Sequence, residues 1–524
     1  DVYVIKEVLK MYEYLRTKNL KTELVIIDEE KYSYENYLKN EIENAIQNSQ
    51  LAYLKNIFGG IFTLSRAEMN QQDLEMIKFI SIFVIDAHLG NLENIIKDKE
   101  TEIIDNYKIV EQNMIFENIE DDSNEIDLLA NTDELKYYNE YGAFSKDGKE
   151  YIIKINKNQK TPTTWSHIIA NEKFGTCVTE SNGGYTWYKN SRLNRVSSWD
   201  NSIIINIPSE IIYLQDEENG KTWTPTAMVK PDDKNYNTIF GFGYAKFVHC
   251  SDNIMQEVYV PINESAKINV LTLTNNAPKK KKIRIIYYIK PVIGEDEIKS
   301  DGKISLEYKE NNNMIIARKI YNSDELNNVV YISSSEKIKS YTGDKTKFLG
   351  DGGLENPDGL KTIRLDNNDA LGKKTCIAIE LNVEIESFSN KKVSIILGAE
   401  ENVDIATDVA YRYSNLQNCK TELQNVKNKW NELLGKVKVN TPYESLNIIL
   451  NGWTMYQTIS SRILGKTGFY QSGGAYGFRD QLQDAFSTRY IDSQILYNQI
   501  LKHSRHQFIE GDVEHWWHDE NDRG

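Results

Sequence analysis

The sequence has few cysteines and no long apolar run. No stretch of its 524 residues approaches the about 18 uninterrupted apolar residues of a membrane-spanning helix, and no signal peptide is visible. Cys177, Cys250, Cys376 and Cys419 are scattered without CxxC spacing, which disfavours a disulfide framework or a zinc ribbon. A reducing compartment is therefore predicted, and we expect the cytoplasm.

The chain also has fewer positive than negative side chains. The formal net charge is −15, and Lys279–Lys282 is the only basic block. This balance disfavours a nucleic acid or an anionic membrane as a partner and favours a neutral ligand. The chain begins at Asp1 and stops at Gly524 just after its richest motif, so we expect both ends to be cuts in a longer protein.

The length and the hydrophobic periodicity predict several domains. Residues 1–112 alternate helical and strand patterns, which indicates a small α/β segment, and an acidic, Asn-rich linker follows over 113–136. Short alternating runs separated by Gly/Asn/Asp turns predict a large antiparallel β-sandwich over 137–402. Helical spacing returns in a linker over 403–440, and residues 441–524 suit the first part of an (α/α)6 barrel.

A glycine-rich motif near the C-terminus is the clearest functional candidate. Gly473–Gly477 lead into Arg479, Asp480, Gln483 and Asp484. If a helix begins near Phe478, the last three share one face. Carboxylates and amides bind sugar hydroxyls, and the neighbouring aromatic residues Phe469, Tyr470 and Tyr476 could stack on a sugar ring. An ordinary helix start with an Arg–Asp ion pair is the alternative.

A second cluster lies in the last 22 residues, which hold four of the seven histidines. His515 and His518 are three residues apart with carboxylates nearby, so a metal site is conceivable, but there is no cysteine and no HExxH pattern. A polar sugar pocket walled by Trp516 and Trp517 fits the composition better, and the 32 tyrosines of the chain are also usual for carbohydrate-binding surfaces.

A third candidate is a loop inside the predicted sandwich. It contains Gly183–Trp187, then Asn190–Arg195, and then Ser198-Trp199. Exposed Trp, Tyr, Asn and Arg side chains suggest a binding surface. The alternative is that these aromatic residues fill the edge of the sandwich.

These motifs together resemble glycoside hydrolase family 94, the inverting glycoside phosphorylases. The resemblance is carried by Phe469 to Asp484, by Glu510–Val513 and by His515–His518, and it runs through most of the chain. It is nearest to the 1,2-β-oligoglucan phosphorylases and to the phosphorylase-like part of cyclic β-1,2-glucan synthases. At Gly474 the sequence departs from cellobiose phosphorylases, which carry a sugar-binding arginine there.

The resemblance implies a role for each motif. Arg479 and Asp480 would bind sugar hydroxyls, and the sandwich loop would reach a catalytic cleft, often that of a partner subunit. The general acid of the family lies in a Trp-Asn-Asp motif that does not occur here, so we expect it beyond Gly524 and expect the isolated chain to be inactive. The candidate substrate-binding residues are Arg479, Asp480, Gln483, Asp484, His515, Trp516, Trp517, Trp187 and Arg192.

Phosphorolysis also needs a phosphate site. Inverting hydrolysis uses two carboxyl groups, whereas phosphate is already an anion and needs only one carboxylic acid together with Arg, His or backbone N–H groups to hold it. Arg462, eighteen residues before Asp480, matches the position of a phosphate-binding arginine of the family. Its alternative is a plain surface cation.

The expected activity is phosphorolysis of linear β-1,2-glucan to α-glucose 1-phosphate, with inorganic phosphate as co-substrate and with no cofactor and no metal. The partners expected are the oligosaccharide and phosphate, with no nucleic acid and no membrane contact by this segment. The resemblance also implies a homodimer. Three alternatives stay open: the chain-length-controlling domain of a cyclic β-1,2-glucan synthase, a non-catalytic glucan-binding module, and a plain hydrolase with a similar barrel.

Overall fold

A computed structural model shows two compact units, Asp1–Asp121 and Asp122–Gly524. The residues that it describes are 2–17, 22–29, 37–49, 51–57, 59–81, 83–90, 92–93, 95, 135–156, 159–200, 202, 206–251, 254–320, 328–468, 470–521 and 523–524. The predicted linker lies outside these residues except for 135–136, so it stays a prediction, and Phe469 also lies outside them.

The first unit is a small α/β segment, as predicted. Its elements are α1 (Val2–Thr17), β1 (Leu24–Asp28), α2 (Tyr37–Gln47), β2 (Ile61–Ser65) and α3 (Gln71–Ile80). The two strands are parallel, with Leu24 opposite Ile61. The apolar faces of α1 and α2 cover them, and Leu9, Ile42 and Ile46 are buried beside Ile61. A helix between parallel strands is the expected connection because their ends lie at opposite edges.

The second unit is dominated by antiparallel strands, which confirms the predicted sandwich. Its strands are β3 (Leu135–Lys136), β4 (Gly142–Ser145), β5 (Glu150–Ile155), β6 (Ser166–Ala170), β7 (Phe174–Thr179), β8 (Gly184–Tyr188), β9 (Arg195–Ser197), β10 (Glu210–Asp216), β11 (Thr222–Trp223), β12 (Tyr236–Gly241), β13 (Tyr244–His249), β14 (Ile254–Tyr259), β15 (Ala266–Asn275), β16 (Lys281–Ile289), β17 (Pro291–Gly294), β18 (Ile304–Lys309), β19 (Met314–Lys319), β20 (Val329–Ser334), β21 (Ser340–Asp344), β22 (Thr375–Ile385), β23 (Ser389–Glu400), β24 (Tyr476–Gly477) and β25 (Trp516–Trp517).

Three large sheets build the sandwich. An eleven-stranded sheet has the order β18-β19-β20-β23-β15-β14-β13-β12-β5-β4-β3, and the five-stranded sheets have the orders β11-β10-β16-β22-β21 and β17-β9-β8-β7-β6. One apolar core joins them, because Ile396 of β23, Ile285 of β16 and Val196 of β9 belong to the same buried cluster. The third sheet carries the sequence loop that was singled out as a candidate site.

Helices follow the sandwich. They are α4 (Glu297–Ser300) and α5 (Lys345–Leu349) within it, and then α6 (Val403–Ser414), α7 (Leu416–Leu434), α8 (Glu444–Ile448), α9 (Thr454–Gln457), α10 (Phe478–Phe486) and α11 (Ser493–Ser504). The helical linker predicted over 403–440 contains the two helices α6 and α7. Asn415 leaves the helical conformation, and its side chain accepts hydrogen bonds from the first turn of α7. With these helices the predicted multidomain fold class is confirmed.

None of the helices within the described ranges is both long and apolar enough to cross a membrane.

A buried carboxyl group in the sandwich predicts a pH-dependent stability. Glu180 is 8% exposed, and burial raises its pKa to about 7 although Trp165 N–H donates to its Oε2 at 2.9 Å. A raised carboxyl pKa means that the folded state binds the proton more tightly than the unfolded chain does. The stability contribution is therefore complete below about pH 4 and is lost as pH rises through about 7.

We expect urea unfolding of the native chain to show up to ~3 kcal/mol less stability at pH 8 than at pH 4 from this group. The Glu180→Gln variant keeps an acceptor for Trp165 N–H and should lose that difference, whereas Glu172→Gln on the exposed surface should keep it. An unchanged pH profile in Glu180→Gln would contradict the assignment.

Candidate functional site

The glycine-rich loop is docked on a turn of the sandwich. Gly474 has φ of +63°, and a Cβ atom there would lie 2.1 Å from Oδ1 of Asn190. Asn190 is fully buried between β8 and β9, and its Nδ2 donates to the carbonyl of Gly474 at 3.0 Å. Only glycine combines this left-handed conformation with such a close approach.

Further hydrogen bonds hold the same two segments together. The hydroxyls of Tyr185 and Thr467 are 2.6 Å apart, and Nη2 of Arg195 donates to Oγ of Ser472 at 2.8 Å. The sandwich loop thus contacts the glycine-rich loop of its own chain.

Gly474→Ala should loosen this loop. The methyl group would meet Asn190 and the left-handed conformation costs about 1–2 kcal/mol for an L-residue, so we expect a lower thermal midpoint and weaker glucan binding. Gly468→Ala is the matched control, because a Cβ atom there has open space and Gly468 has no positive φ. Equal midpoints and affinities for the two variants would show that the contact is unimportant.

Helix α10 begins at Phe478, where the glycine motif predicted a helix. Oε1 of Gln481 accepts a hydrogen bond from the Gly477 N–H at 2.6 Å, which connects the end of the glycine-rich loop to the first turn of α10. Asp480, Gln483 and Asp484 share one face of the helix by their spacing, and the first two are exposed. Arg479 is also exposed. Among the described residues no salt bridge joins its side chain to that of Asp480, so the Arg–Asp ion pair of the alternative interpretation is not formed.

Arg462, the predicted phosphate-binding residue, contacts this helix. It lies in a π-helical segment, Thr458–Gly465, and its Nε is 2.8 Å from Oδ2 of Asp484. Both side chains keep a solvent-accessible part, 48% for Arg462 and 29% for Asp484. π-Helical turns occur frequently at functional sites because they displace side chains from the regular register. An anion and a sugar hydroxyl could therefore be bound side by side here.

The two adjacent tryptophans near the C-terminus, Trp516 and Trp517, differ in exposure. Strand β25 pairs with β24, with Trp517 opposite Tyr476. Trp517 is fully buried, and its indole stacks on Tyr476 at 5.5 Å and on His506 at 3.9 Å. A buried indole has no face to offer a sugar, so the prediction that Trp517 binds substrate is corrected. Its neighbour His515 is exposed, and the His515 carbonyl accepts from the N–H of Phe478 at 3.1 Å.

The prediction that Trp187 binds substrate is also corrected. It is 2% exposed, and its ring lies so close to Gly175 that a Cβ atom there would be 2.3 Å away. It packs with Ile168, Cys177 and Tyr185. The alternative that these aromatic residues fill the sandwich is the correct one for Trp187, because β8 is buried along its whole length.

A cavity of about 850 Å³ opens between the sandwich loop and the glycine-rich loop. Trp516 is 41% exposed and lines it, as does Arg192, whose Nε is 3.2 Å from Oε1 of Glu295. Arg195 lies over the ring of Trp199 at 5.3 Å. The lining residues are Arg192, Arg195, Ser198, Trp199, Val292, Glu295, Asp296, Glu297, Lys299, Gln471, Ser472, Gly473, Ala475, Trp516 and His518.

His518 is the titratable ring of this cavity. It is 4% exposed, and its Nδ1 is 3.2 Å from Nδ2 of Asn190. Burial lowers the pKa of His518, so the ring is neutral at neutral pH. A neutral imidazole with aromatic and carboxylate neighbours suits an uncharged polar ligand. In the described ranges, no three His, Cys, Asp or Glu side chains converge as a metal site.

The acidic part of the cavity was not predicted from the sequence. Glu295, Asp296 and Glu297 directly follow β17, and Lys299 lies one turn into α4. In the sequence these residues appear as Gly294-Glu295-Asp296-Glu297 after an apolar strand. Such a pattern is common in solvated turns and does not by itself indicate a site. Only the pairing of β17 with β9 shows that this turn faces the Asn190–Arg195 loop.

Family models identify the sandwich and the helical part. The model described as glycosyl hydrolase 94, supersandwich domain, matches residues 149–416. The chain belongs to glycosyl hydrolase family 94. The catalytic-domain model of the glycosyl hydrolase 94 superfamily matches residues 429–522, which include Arg462, α10, Trp516 and Trp517.

Curated relatives are identical to the chain at about a quarter of the aligned residues. The cyclic β-(1,2)-glucan synthase NdvB of Rhizobium meliloti (strain 1021) is 27% identical over 532 residues, which cover 100% of the chain and 19% of that protein. The N,N′-diacetylchitobiose phosphorylase of Vibrio furnissii is 26% identical over 388 residues, 71% of the chain and 47% of that protein. The 3-O-β-D-glucopyranosyl-β-D-glucuronide phosphorylase of Paenibacillus borealis is 22% identical over 390 residues, 72% of the chain and 48% of that protein. The chain thus spans less than half of each of these relatives.

Proposed function

We propose that this member of family 94 is part of an inverting glycoside phosphorylase that acts on linear β-1,2-glucooligosaccharides and phosphate to give α-glucose 1-phosphate. The observation that carries the proposal is the Arg462–Asp484 ion pair, because it joins the candidate phosphate ligand to the candidate sugar-binding face. Phosphate would replace Asp484 as the partner of the guanidinium when it binds. The carboxylate would then be free to accept from a sugar hydroxyl.

The remaining residues take roles that follow from their exposure. Arg479, Asp480 and Gln483 are exposed on α10 and would hydrogen-bond the sugar whose bond is cleaved. Trp516 and Arg192 line the cavity and would contact the rest of the glucan, with His515 beside them. Such a site fixes two reactants at short range and thereby replaces a bimolecular encounter with a positioned one.

Phosphorolysis places few further demands on this segment. Phosphate attacks the anomeric carbon from the face opposite the leaving oxygen, the C–O bond breaks, and one carboxylic acid protonates the leaving oxygen. We propose that this acid lies beyond Gly524, so that the chain alone is inactive. No cofactor is required, since phosphate is the co-substrate. The free state of all four cysteines supports a cytoplasmic location.

The β-1,2 linkage is supported by two features. The glucan synthase relative matches all of the chain, including the first unit, whereas the two phosphorylases cited match 71% and 72% of it. Asn190 also occupies the space into which any side chain at position 474 would have to extend, so the arginine of cellobiose phosphorylases has no room here.

The same coverage favours a second candidate, the phosphorylase-like domain of a cyclic β-1,2-glucan synthase. In that case the domain would trim glucan chains beside a glycosyltransferase. A full-length protein that makes cyclic glucan from a nucleotide sugar would decide for this candidate, and one that only phosphorolyses glucan would decide against it.

The deciding experiment incubates the full-length protein that contains this sequence with linear β-1,2-glucan, with and without phosphate. Phosphate-dependent release of α-glucose 1-phosphate would establish phosphorolysis. Release of free glucose regardless of phosphate would refute it and indicate a hydrolase. A cellobiose control would show whether the β-1,2 linkage is selected.

A further inference from the structure

A second cavity lies away from the glycine-rich loop, where the sandwich meets the linker helix α6. Its volume is about 310 Å³, which is near the lower end of the about 300–1,000 Å³ of small-molecule sites. Tyr188 at the end of β8, Glu400 at the end of β23, and Asp408 and Arg412 of α6 line it.

The described residues offer the hydroxyl of Tyr188 no hydrogen-bond partner. Tyr188 is 1% exposed and lines the cavity, yet no described residue forms a hydrogen bond with its hydroxyl. Burial and the carboxylates of Glu400 and Glu401 raise the pKa of Tyr188, so its hydroxyl lies within electrostatic reach of both. Because Tyr188 lines the cavity, its hydroxyl is available to hydrogen-bond a molecule bound there.

The hydroxyl of Tyr331 is a second phenol without a hydrogen-bond partner among the described residues. Tyr331 is fully buried, no described residue hydrogen-bonds its hydroxyl, and Glu400, Glu264 and Tyr188 all act on it electrostatically. Burial raises the pKa of Glu400. The groups that a ligand in the cavity can reach are therefore the hydroxyl of Tyr188 and the carboxyl group of Glu400, which both line it.

The charges of the cavity exclude a strongly charged ligand. Glu264 forms an ion pair with Arg412, and Glu401 forms one with Lys189 at 2.8 Å. Lys173 lines the cavity near Glu400 and offsets its remaining charge. No three carboxylates converge as they would for a divalent cation, within the residues that the structure describes. Asp408 adds one further carboxylate to the lining, so the wall is weakly acidic, and its hydroxyl donor and carboxylate acceptors match vicinal hydroxyl groups.

We propose that this cavity binds one neutral, polyhydroxylated molecule of the size of a single hexose, through the hydroxyl of Tyr188 and the carboxyl group of Glu400. The site is independent of the proposed reaction, because it shares no lining residue with the cavity of the glycine-rich loop. A free monosaccharide and the end of a glucan chain carry the same hydroxyl pattern, and the test separates them.

The test is calorimetric titration of glucose, and of a β-1,2-linked glucose pentasaccharide, into the chain carrying Trp516→Ala, which disables the first cavity. We expect glucose to bind and Tyr188→Phe to weaken it about tenfold, the worth of one hydrogen bond. Binding of the pentasaccharide at equal strength would assign the site to glucan ends, whereas binding of glucose alone would assign it to free sugar. Tyr411→Phe on the exposed side of α6 is the matched control and should bind normally.

Stability separates lost binding from lost folding. Tyr188→Phe removes a hydroxyl that no described residue hydrogen-bonds, so its urea midpoint should equal that of the parent chain or exceed it. Glu400→Gln supplies a second, independent loss of binding. Absence of glucose binding, unchanged affinity in both variants, or binding of calcium or inorganic phosphate in place of glucose would each overturn the proposal.

Discussion

Arg462→Ala in the full-length protein should lower kcat for phosphorolysis by about 10²–10³-fold, the typical effect of removing one group that stabilises charge in a transition state. The guanidinium contacts the proposed sugar-binding face of α10 through its 2.8 Å contact with Asp484. Phosphate bears its charge throughout the reaction, so the loss should appear in the KM for phosphate as well as in kcat.

The result would be specific to function because this ion pair contributes little to folding. Arg462 is 48% exposed, and exposed pairs have small effects on stability. Arg462→Ala should therefore unfold with the midpoint of the wild type. Arg462→Lys keeps the charge but loses the planar fork, so it should recover only part of the rate.

Arg489→Ala provides the matched control. Arg489 is exposed and lies over the ring of Phe486 at 4.0 Å, only three residues beyond the end of α10. Its removal should leave phosphorolysis unchanged. Equal losses in Arg489→Ala and Arg462→Ala would mean that the effect is general electrostatics, and the phosphate assignment would then be wrong.

The fold was predictable wherever a single periodicity covered a whole element. The apolar runs of β5, β15, β16 and β23 and the helical spacing of α1 and α2 appear at the expected positions because their apolar side chains pack into the buried clusters. The boundary between α6 and α7 at Asn415 is not visible in the apolar spacing, because that spacing continues across it. A side chain that caps α7 interrupts a helix without altering the hydrophobic pattern.

The candidate site was predictable as a set of motifs but not as a set of facing side chains. Trp516 and Trp517 are adjacent, and only the pairing of β25 with β24 decides that the first is exposed and the second buried. Trp187 is buried because both faces of β8 are covered, which its own sequence does not show. The meeting of Glu295 with Arg192 joins residues 103 positions apart, so it depends on sheet pairing that no local pattern encodes.

The second large effect concerns a buried ion pair beneath the site, where Lys267→Met should destabilise the chain by about 3–5 kcal/mol. Nζ of Lys267 is 3.0 Å from Oε2 of Glu210, and both side chains are less than a tenth exposed. Glu210 also accepts from Thr186 at 2.6 Å, from Ser197 at 2.8 Å and from Tyr287 at 2.9 Å. Burial alone would raise the pKa of Glu210, but Lys267 and these hydroxyls hold it below its ordinary value.

Urea unfolding measures the loss, and two further variants test its cause. Glu210→Gln added to Lys267→Met should restore part of the stability, because the uncompensated charge is then gone. Lys279→Met, which removes an exposed pair with Glu218, should unfold like the wild type. Similar midpoints for Lys267→Met and Lys279→Met would contradict the assignment.

The position of this pair links stability to the site. Lys267 belongs to β15 of the eleven-stranded sheet and Glu210 to β10 of one five-stranded sheet, while Thr186 and Ser197 belong to β8 and β9 of the other. Glu210 therefore ties all three sheets at the base of the turn that carries Asn190. We expect partial denaturant to expose that turn earlier in Lys267→Met than in the wild type, and glucan affinity to fall before the global transition. Affinity that persists up to global unfolding would show that the turn is held by the glycine-rich loop alone.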